Sequence, residues 1–396
     1  MTRNTEVVVV GGGYAGVLAA NRLTQRDDVT VTLVNPRPAF VERIRLHQLV
    51  AGSDDAVADF EAVLAQRVRL VVDSVTQIDA AERTVALASG GTVGYDYLVY
   101  AVGSHSAEPD VPGAAELAYP IGSLEAAERL RSALDAVPTT SPLTVVGAGP
   151  TGIETAAELA ERGRTVTLVA GDVLGPYLHP RGRRFVAERL AELGVTVLAG
   201  PAAVVTAVTA EAVELSGGRS LPSAVTIWTA GFGVPDLAVR SGLHTDGDGR
   251  LLTDETLTSV DDARIVAAGD AAAPSNLPYR MSCQAAGQLG MGAADTVLSR
   301  IAGRRPAPVA LGFVGQCVSL GRGNGMFQFA RRDDTARGLY LGGRLGARLK
   351  EFVCWGTVRQ MMMEGRRPGR LVVPTWATDR TRPERVAGTE AKALVP

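Results

Sequence analysis

Short apolar runs that end in glycine, each followed by a stretch of helical periodicity and a second apolar run, occur twice along the chain. Val7 to Val10 leads into Gly11 and Leu143 to Val146 leads into Gly147, with further runs at Val29 to Val34 and Thr165 to Val169. A brief continuous apolar run bounded by turn residues marks a buried strand, and the 3.6-residue period after it marks a crossover helix. Two βαβ units are predicted. A second layer of repetition follows each. Arg83 to Ser104 reads as strand, Gly90-Gly91 turn, strand and then Ala101-Val102-Gly103; Glu211 to Gly231 repeats this with Ser216-Gly217-Gly218 and Thr229-Ala230-Gly231. The recurrence predicts a duplicated module. Arg264 to Asp270 is a short apolar strand ending in Gly269-Asp270, with a helical pattern starting near Ser282. From about Gly312 further strands are predicted, then a helix from roughly Leu345 to Met363, and a polar tail beyond Arg380 that is read as loose.

The two glycine turns have the spacings Gly11-x-Gly13-x-x-Gly16 and Gly147-x-Gly149-x-x-Gly152. Such glycines make the tight turn, let the backbone approach a pyrophosphate and bring helix and strand together, with the helix N-terminus facing the anion. One match alone is weak; two, each in strand–turn–helix context, predict two bound dinucleotides. The small residues Ala101, Gly103, Ala230 and Gly231 let the chain turn beside a cofactor.

A length of 396 residues predicts two or three domains, and an apolar content of 46% supplies their cores. The formal net charge of −2 lacks the basic excess of a duplex-binding protein, so nucleic acid is not an expected partner. Cys283, Cys317 and Cys354 are widely spaced with no C-x-x-C, which suits a reducing compartment and gives no zinc cluster; no metal is expected. No leader or long apolar span is found, and a cytoplasmic location, at most peripheral to the inner face of the cell membrane, is expected.

Together these segments form a set: Val9-Val-Gly-Gly-Gly-Tyr-Ala-Gly16, Tyr95-Asp96 ahead of Ala101-Val102-Gly103, Gly147-Ala-Gly-Pro-Thr-Gly-Ile-Glu154, Thr229-Ala230-Gly231 and Ala268-Gly269-Asp270. Over residues 5–300 the chain resembles the pyridine-nucleotide-dependent flavoproteins with two dinucleotide-binding domains. It looks most like type II NADH:quinone oxidoreductases, through Cys283-Gln284-Ala285-Ala286-Gly287-Gln288 and Leu320-Gly321-Arg322. The resemblance implies an α/β fold of two Rossmann-like domains, the second inserted in the first, plus a C-terminal α+β region. Its expected boundaries are 1–115 with 255–310 for FAD, 116–254 for NADH or NADPH, and 311–396 for the C-terminal part.

By the same resemblance FAD sits on Gly11, Gly13, Tyr14, Ala15 and Gly16, with Asn35, Ala101, Gly103, Gly269 and Asp270 around it; Arg43 and His47, which follow the first adenosine-binding strand, are expected to border the flavin, the alternative for the histidine being a packed or surface side chain. The Asp270 carboxylate accepts hydrogen bonds from the ribityl chain. The nicotinamide cofactor sits on Gly147, Gly149, Pro150, Thr151 and Gly152, with Ala230 and Gly231. Glu154 points toward the flavin and the nicotinamide ribose, and Gln284 and Gln288, four apart on one helix face, donate amide hydrogens to a quinone. Hydride transfer needs orientation and shielding more than a catalytic base.

Two positions depart from the pattern. The second strands end in Asn35 and Ala170, where a carboxylate ordinarily takes the adenine-ribose hydroxyls. Asn35 can still bond the FAD ribose. Ala170 removes both the NADH ligand and the acid that repels the 2′-phosphate, so use of both nicotinamide cofactors is expected.

The electron acceptor is narrowed by an absence, since residues 36–49 hold no cysteine where disulfide reductases carry their redox pair. Cys283 and Cys317 as a sulfide-oxidising pair is an alternative to their being small buried hydrophobes. In the last long helix Leu345, Leu349, Phe352, Val353 and Met361 form an apolar stripe, with Arg344, Arg348, Lys350, Arg359, Arg366 and Arg367 on other faces. Such a helix can lie on an anionic membrane or pack against its own domain or a second subunit to give a homodimer; packing is the favoured expectation. A small-molecule acceptor, quinone or quinone-like, is the leading reading. The rivals are a specialised reductase or dehydrogenase of secondary metabolism and a flavin-bearing redox interaction protein.

Overall fold

The computed structural model describes residues 4–373 and 377–393. Two parallel five-stranded sheets organise it. In the first, the strands run Ile265–Ala267, Tyr97–Tyr100, Thr5–Val10, Val29–Asn35, Val68–Val72; in the second, Ala118–Pro120, Val225–Trp228, Pro142–Val146, Thr165–Val169, Thr196–Leu198. Each glycine-turn strand is central in its sheet and pairs in parallel with the second strand on one side and a later strand on the other. Val7, Val8 and Val9 are buried, as expected of a parallel strand covered on both faces, which is why its sequence runs apolar without alternation. Each module also carries a three-stranded antiparallel meander, at residues 75–94 and 205–222. The duplication read from the sequence is therefore visible in topology, and the fold is two Rossmann-like α/β units with an added antiparallel sheet. The chain leaves the first sheet after Tyr100 and returns to it at Ile265 only after threading the second.

Helix Cys283–Ile301 begins at Ser282, whose hydroxyl accepts the Ala285 N–H at 3.2 Å. It lies tightly against helix Tyr14–Leu23: a side chain at Gly290 would stand 2.2 Å from the Ala15 carbonyl oxygen. That approach of small residues carries Cys283, Gln284 and Gln288 to the edge of the first glycine turn. After the antiparallel sheet Gly315–Ser319, Gly325–Ala330, Ala336–Gly342, helix Gly343–Arg366 crosses back to the first unit. Asn21 Nδ2 donates to Met361 O at 3.0 Å and Arg22 pairs with the fully buried Glu364 at 3.1 Å, fixing it there.

The structure corrects the expected tail and divides the apolar stripe. Residues Arg382–Ala393 form a helix, where the polar composition suggested a loose tail. The cause is Arg382, buried, whose guanidinium donates to both Glu255 oxygens at 2.7 and 3.0 Å and to the Pro274 and Leu277 carbonyls, and lies 3.9 Å over the Tyr279 ring. Arg382→Ala is expected to cost about 2 kcal/mol, since it strands buried acceptors; an unchanged thermal midpoint would contradict this role. The apolar stripe is divided: Met361 is fully buried in the core, and Leu349 and Val353 are half-buried. Leu345 and Phe352 are 58% and 63% exposed, with Trp355 and Met363 beside them, while the helix buries Gly346, Lys350, Cys354, Met361 and Glu364. Lys350, placed by the sequence among the solvated arginines, is interior because Gly346 and Cys354 share its face and admit close packing.

Candidate active site

The glycines of each turn divide by what surrounds them. A side chain at Gly11 would stand 2.3 Å from Ala101 O, and one at Gly16 1.8 Å from Gly11 O; at Gly147 and Gly152 it would meet Thr229 Oγ1 at 2.4 and 2.7 Å. Gly11 and Gly147 also have φ of +103° and +128°, which only glycine adopts without strain. These four serve the fold. Gly13 and Gly149 do not, since each has extended backbone with negative φ and no atom within 4 Å of an added Cβ. Each sits as the N-cap of its helix, so the open space lies in front of unpaired backbone N–H groups. That is a cradle for an anion. A pyrophosphate fits both turns, and the residues present suit two dinucleotides.

One cavity of about 1350 Å³ reaches both modules. Tyr14, Arg43, His47 and Asp270 line it from the first, and Gly147, Gly149, Pro150, Thr151, Glu154, Ala230 and Gly231 from the second. Gln284 and Gln288 line it as well, as do Leu349, Phe352 and Val353 of the long C-terminal helix. Gly11, Gly13, Ala15, Gly16, Ala101, Gly152 and Gly269 are not among its lining residues. Gly103, at φ +71°, faces open space.

Asp270 is tied to Arg43 through a residue the sequence did not single out. Ser104 Oγ donates to Asp270 Oδ2 at 2.6 Å and accepts from Arg43 Nη1 at 3.0 Å, with the guanidinium 3.9 Å from the carboxylate. Ser104 follows Gly103 directly, so the turn motif itself was the signal. Asn35, expected at the FAD ribose, also serves the turn itself. Its Oδ1 accepts the Gly12 N–H at 2.9 Å and its Nδ2 donates to Arg37 O at 2.8 Å, so the amide braces the glycine turn. Ala170 is buried and its N–H bonds Leu198 O at 2.8 Å.

One wall of the cavity carries a buried charge cluster. Lys350 Nζ donates to Glu154 Oε1 at 2.9 Å, the Ser319 N–H donates to the same oxygen at 2.9 Å, and His47 Nδ1 lies 3.6 Å from Oε2. Burial opposes ionisation of Glu154, yet Lys350 and its hydrogen bonds hold the carboxyl below its ordinary range. Burial likewise opposes the Lys350 cation, but the facing carboxylate raises it well above the usual lysine value. For His47 burial wins and pushes the imidazole down to about 4, aided by Lys350, Arg322 and Arg45 against Glu154. The unfolded imidazole, near 6.5, takes a proton first as pH falls. Stability is therefore expected to decline from pH 6.5 toward 4, and the His47→Phe variant should lose that slope in a pH series of thermal melts.

The glutamine pair lines the cavity with its amides partly engaged. Gln284 Nε2 donates to Gly312 O at 3.4 Å and Gln288 Nε2 to Gln284 O at 3.3 Å, so one amide hydrogen of each is engaged within the protein. Buried atoms without a partner among the described residues include Tyr14 Oη, Tyr279 Oη and His47 Nε2, all on residues lining the cavity. Buried polar atoms seldom stay unpaired, so these mark places for a ligand's polar groups. Cys283 and Cys317 also line the cavity, are free, and have thiols raised by burial, as inert small side chains do. Among the described residues no group of histidine, cysteine and acidic side chains could hold a metal.

Residues 5–290 match the pyridine nucleotide-disulphide oxidoreductase family. The chain belongs to that family. An NADH dehydrogenase-like protein of Mycobacterium tuberculosis is 33% identical over 296 residues, covering 68% of this chain and 73% of the relative. The type II NADH:quinone oxidoreductase Ndh of the same organism is 28% identical over 350 residues, 77% of this chain and 74% of its own. Among solved structures, the sulfide:quinone oxidoreductase of Aquifex aeolicus superposes with a TM-score of 0.76 at 20% identity, covering 92% of this chain and 93% of that one. NDH2 from Plasmodium falciparum, in complex with NADH, gives 0.75 at 16% identity, covering 94% and 100%. The protein is an oxidoreductase of the flavin and pyridine-nucleotide type, and its fold resembles that of NDH2.

Proposed function

We propose that the protein is an FAD-dependent NAD(P)H dehydrogenase that passes electrons to a quinone or quinone-like small molecule. The observation that carries this is the cavity that opens on the second glycine cradle, reaches Tyr14, Arg43 and Asp270 of the first module, and is also lined by Leu349, Phe352 and Val353. FAD belongs on the first turn, with Asp270, Ser104 and Arg43 toward its ribityl chain, and the nicotinamide cofactor on the second. The segments 1–115 with 255–310, 116–254 and 311–396 are the corresponding domains. The cofactors supply hydride chemistry when bound; the protein's share is to orient them, exclude water and fix the charge of Glu154 with Lys350.

The exposed face of the long helix supports a lipid-soluble acceptor. Phe352 lines the cavity and also reaches solvent, its ring 5.9 Å from that of Trp355, over which Arg359 sits at 5.5 Å. Aromatic residues flanked by Arg344, Arg348 and Arg359 suit an anionic bilayer surface. No helix among the described residues is long and apolar enough to cross a membrane, so contact would be peripheral. Sedimentation with vesicles of anionic phospholipid tests this: binding should fall in Phe352→Ser/Trp355→Ser, and equal binding by that variant would remove the helix from the interface. Anaerobic titrations with NADH and with NADPH should both bleach the flavin, because Ala170 offers neither the acid that selects the first nor the repulsion that rejects the second. A preference above about a hundredfold would overturn that reading of Ala170.

A further inference from the structure

We infer that His47 contacts the electron acceptor and favours its hydroquinone form, by accepting a hydrogen bond at Nε2 from a ligand hydroxyl. The inference rests on the quinone-reductase reading and deepens it. His47 lies on the short helix Leu46–Ala51, is 3% exposed and lines the cavity. Its Nδ1 faces Glu154 Oε2 at 3.6 Å, and that carboxylate is already the acceptor for Lys350 and the Ser319 N–H. An ionised carboxylate only accepts, so although 3.6 Å is beyond hydrogen-bond length, its charge favours the tautomer with the hydrogen on Nδ1. A neutral imidazole has one N–H, which leaves Nε2 with a bare lone pair.

No partner for Nε2 exists among the described residues. A quinone carbonyl cannot supply one, being itself an acceptor, whereas a hydroquinone hydroxyl can. The unpartnered hydroxyls of Tyr14 and Tyr279, on the same cavity, are the groups able to donate to a carbonyl. The cavity thus offers donors to either form of the acceptor but reserves this acceptor site for the reduced one. Tighter binding of the product form makes the bound acceptor more oxidising. A fivefold preference corresponds to about 20 mV for a two-electron couple.

The experiment measures dissociation constants of the reduced and oxidised forms of one soluble short-chain quinone on the flavin-loaded full chain, anaerobically. Wild type should bind the hydroquinone about fivefold more tightly, the size of one buried hydrogen bond. In His47→Phe the two constants should converge; in His47→Gln, whose amide oxygen can accept, part of the preference should return. An independent readout needs no substitution. With ¹⁵N-labelled histidine, four imidazoles are present. The one still neutral at pH 5.5 should be the Nδ1–H tautomer, and its Nε2 resonance should move on adding hydroquinone and stay fixed on adding quinone. Equal affinities in wild type, or a preference that survives in His47→Phe, overturns the role of His47 and leaves the quinone reading standing. If neither form binds nor reoxidises the flavin, the quinone reading fails and takes the inference with it.

Discussion

Lys350→Met is expected to destabilise the protein by about 3–5 kcal/mol, among the largest effects any single side chain here should give. The lysine is 5% exposed and Glu154 is 6% exposed, so removal of the ammonium leaves a carboxylate inside the protein with only the Ser319 N–H and a neutral imidazole near it. The carboxyl would then escape the penalty by taking a proton. Its stabilising contribution in the wild type is present above the ordinary glutamate value and is lost as pH falls through its lowered one. That of Lys350 is present below the ordinary lysine value and is lost as pH rises through its raised one. The check is a thermal or urea melt of Lys350→Met against the double variant with Glu154→Gln. Recovery of much of the loss in the double variant is expected, because a neutral pair no longer buries an unpaired charge. A double variant as unstable as the single would show that packing around the lysine stem, rather than the ion pair, is what matters.

Gly149→Val should abolish use of the nicotinamide cofactor and leave the fold and the flavin intact. No protein atom lies within 4 Å of an added Cβ, and the residue's extended backbone at φ −74° is one that valine accepts. A branched side chain would project into the space before the helix N-terminus where a pyrophosphate belongs. A loss of roughly a hundredfold in NAD(P)H affinity is expected. Gly13→Val, in the equivalent setting at φ −83°, should empty the flavin site instead. Flavin absorbance of each purified variant, followed by titration with NADH, separates the two. Loss of flavin from Gly149→Val would reverse the assignment of the two turns.

Much of this was legible in the sequence because the signals were backbone signals. Apolar runs ending in glycine identify central parallel strands, and Gly11, Gly16, Gly147 and Gly152 are where the sequence pattern and the hard-sphere contacts agree. The side-chain level was less legible. Asn35 reads as a neutral substitute for an acid, and only the fold shows that its amide also accepts the Gly12 N–H, 23 residues earlier. Lys350 looked like one more base on an amphipathic helix. Its partner Glu154 lies far off in sequence, and only the tertiary fold shows that the helix buries a lysine and presents Leu345, Phe352 and Trp355 outward. Arg382 misled for the same reason, since a polar tail is held by one buried guanidinium and acceptors more than a hundred residues away.

In the function we propose, one cavity takes electrons from a nicotinamide and delivers them to a quinone. Mixing the flavin-loaded protein anaerobically with one equivalent of NADH, and then with a soluble quinone, tests it in two observed steps. The expected result is bleaching of the flavin absorbance followed by its full return on quinone addition, with one hydroquinone formed per flavin. Bleaching that persists after quinone, with the flavin reoxidised only by oxygen or a protein partner, would contradict it.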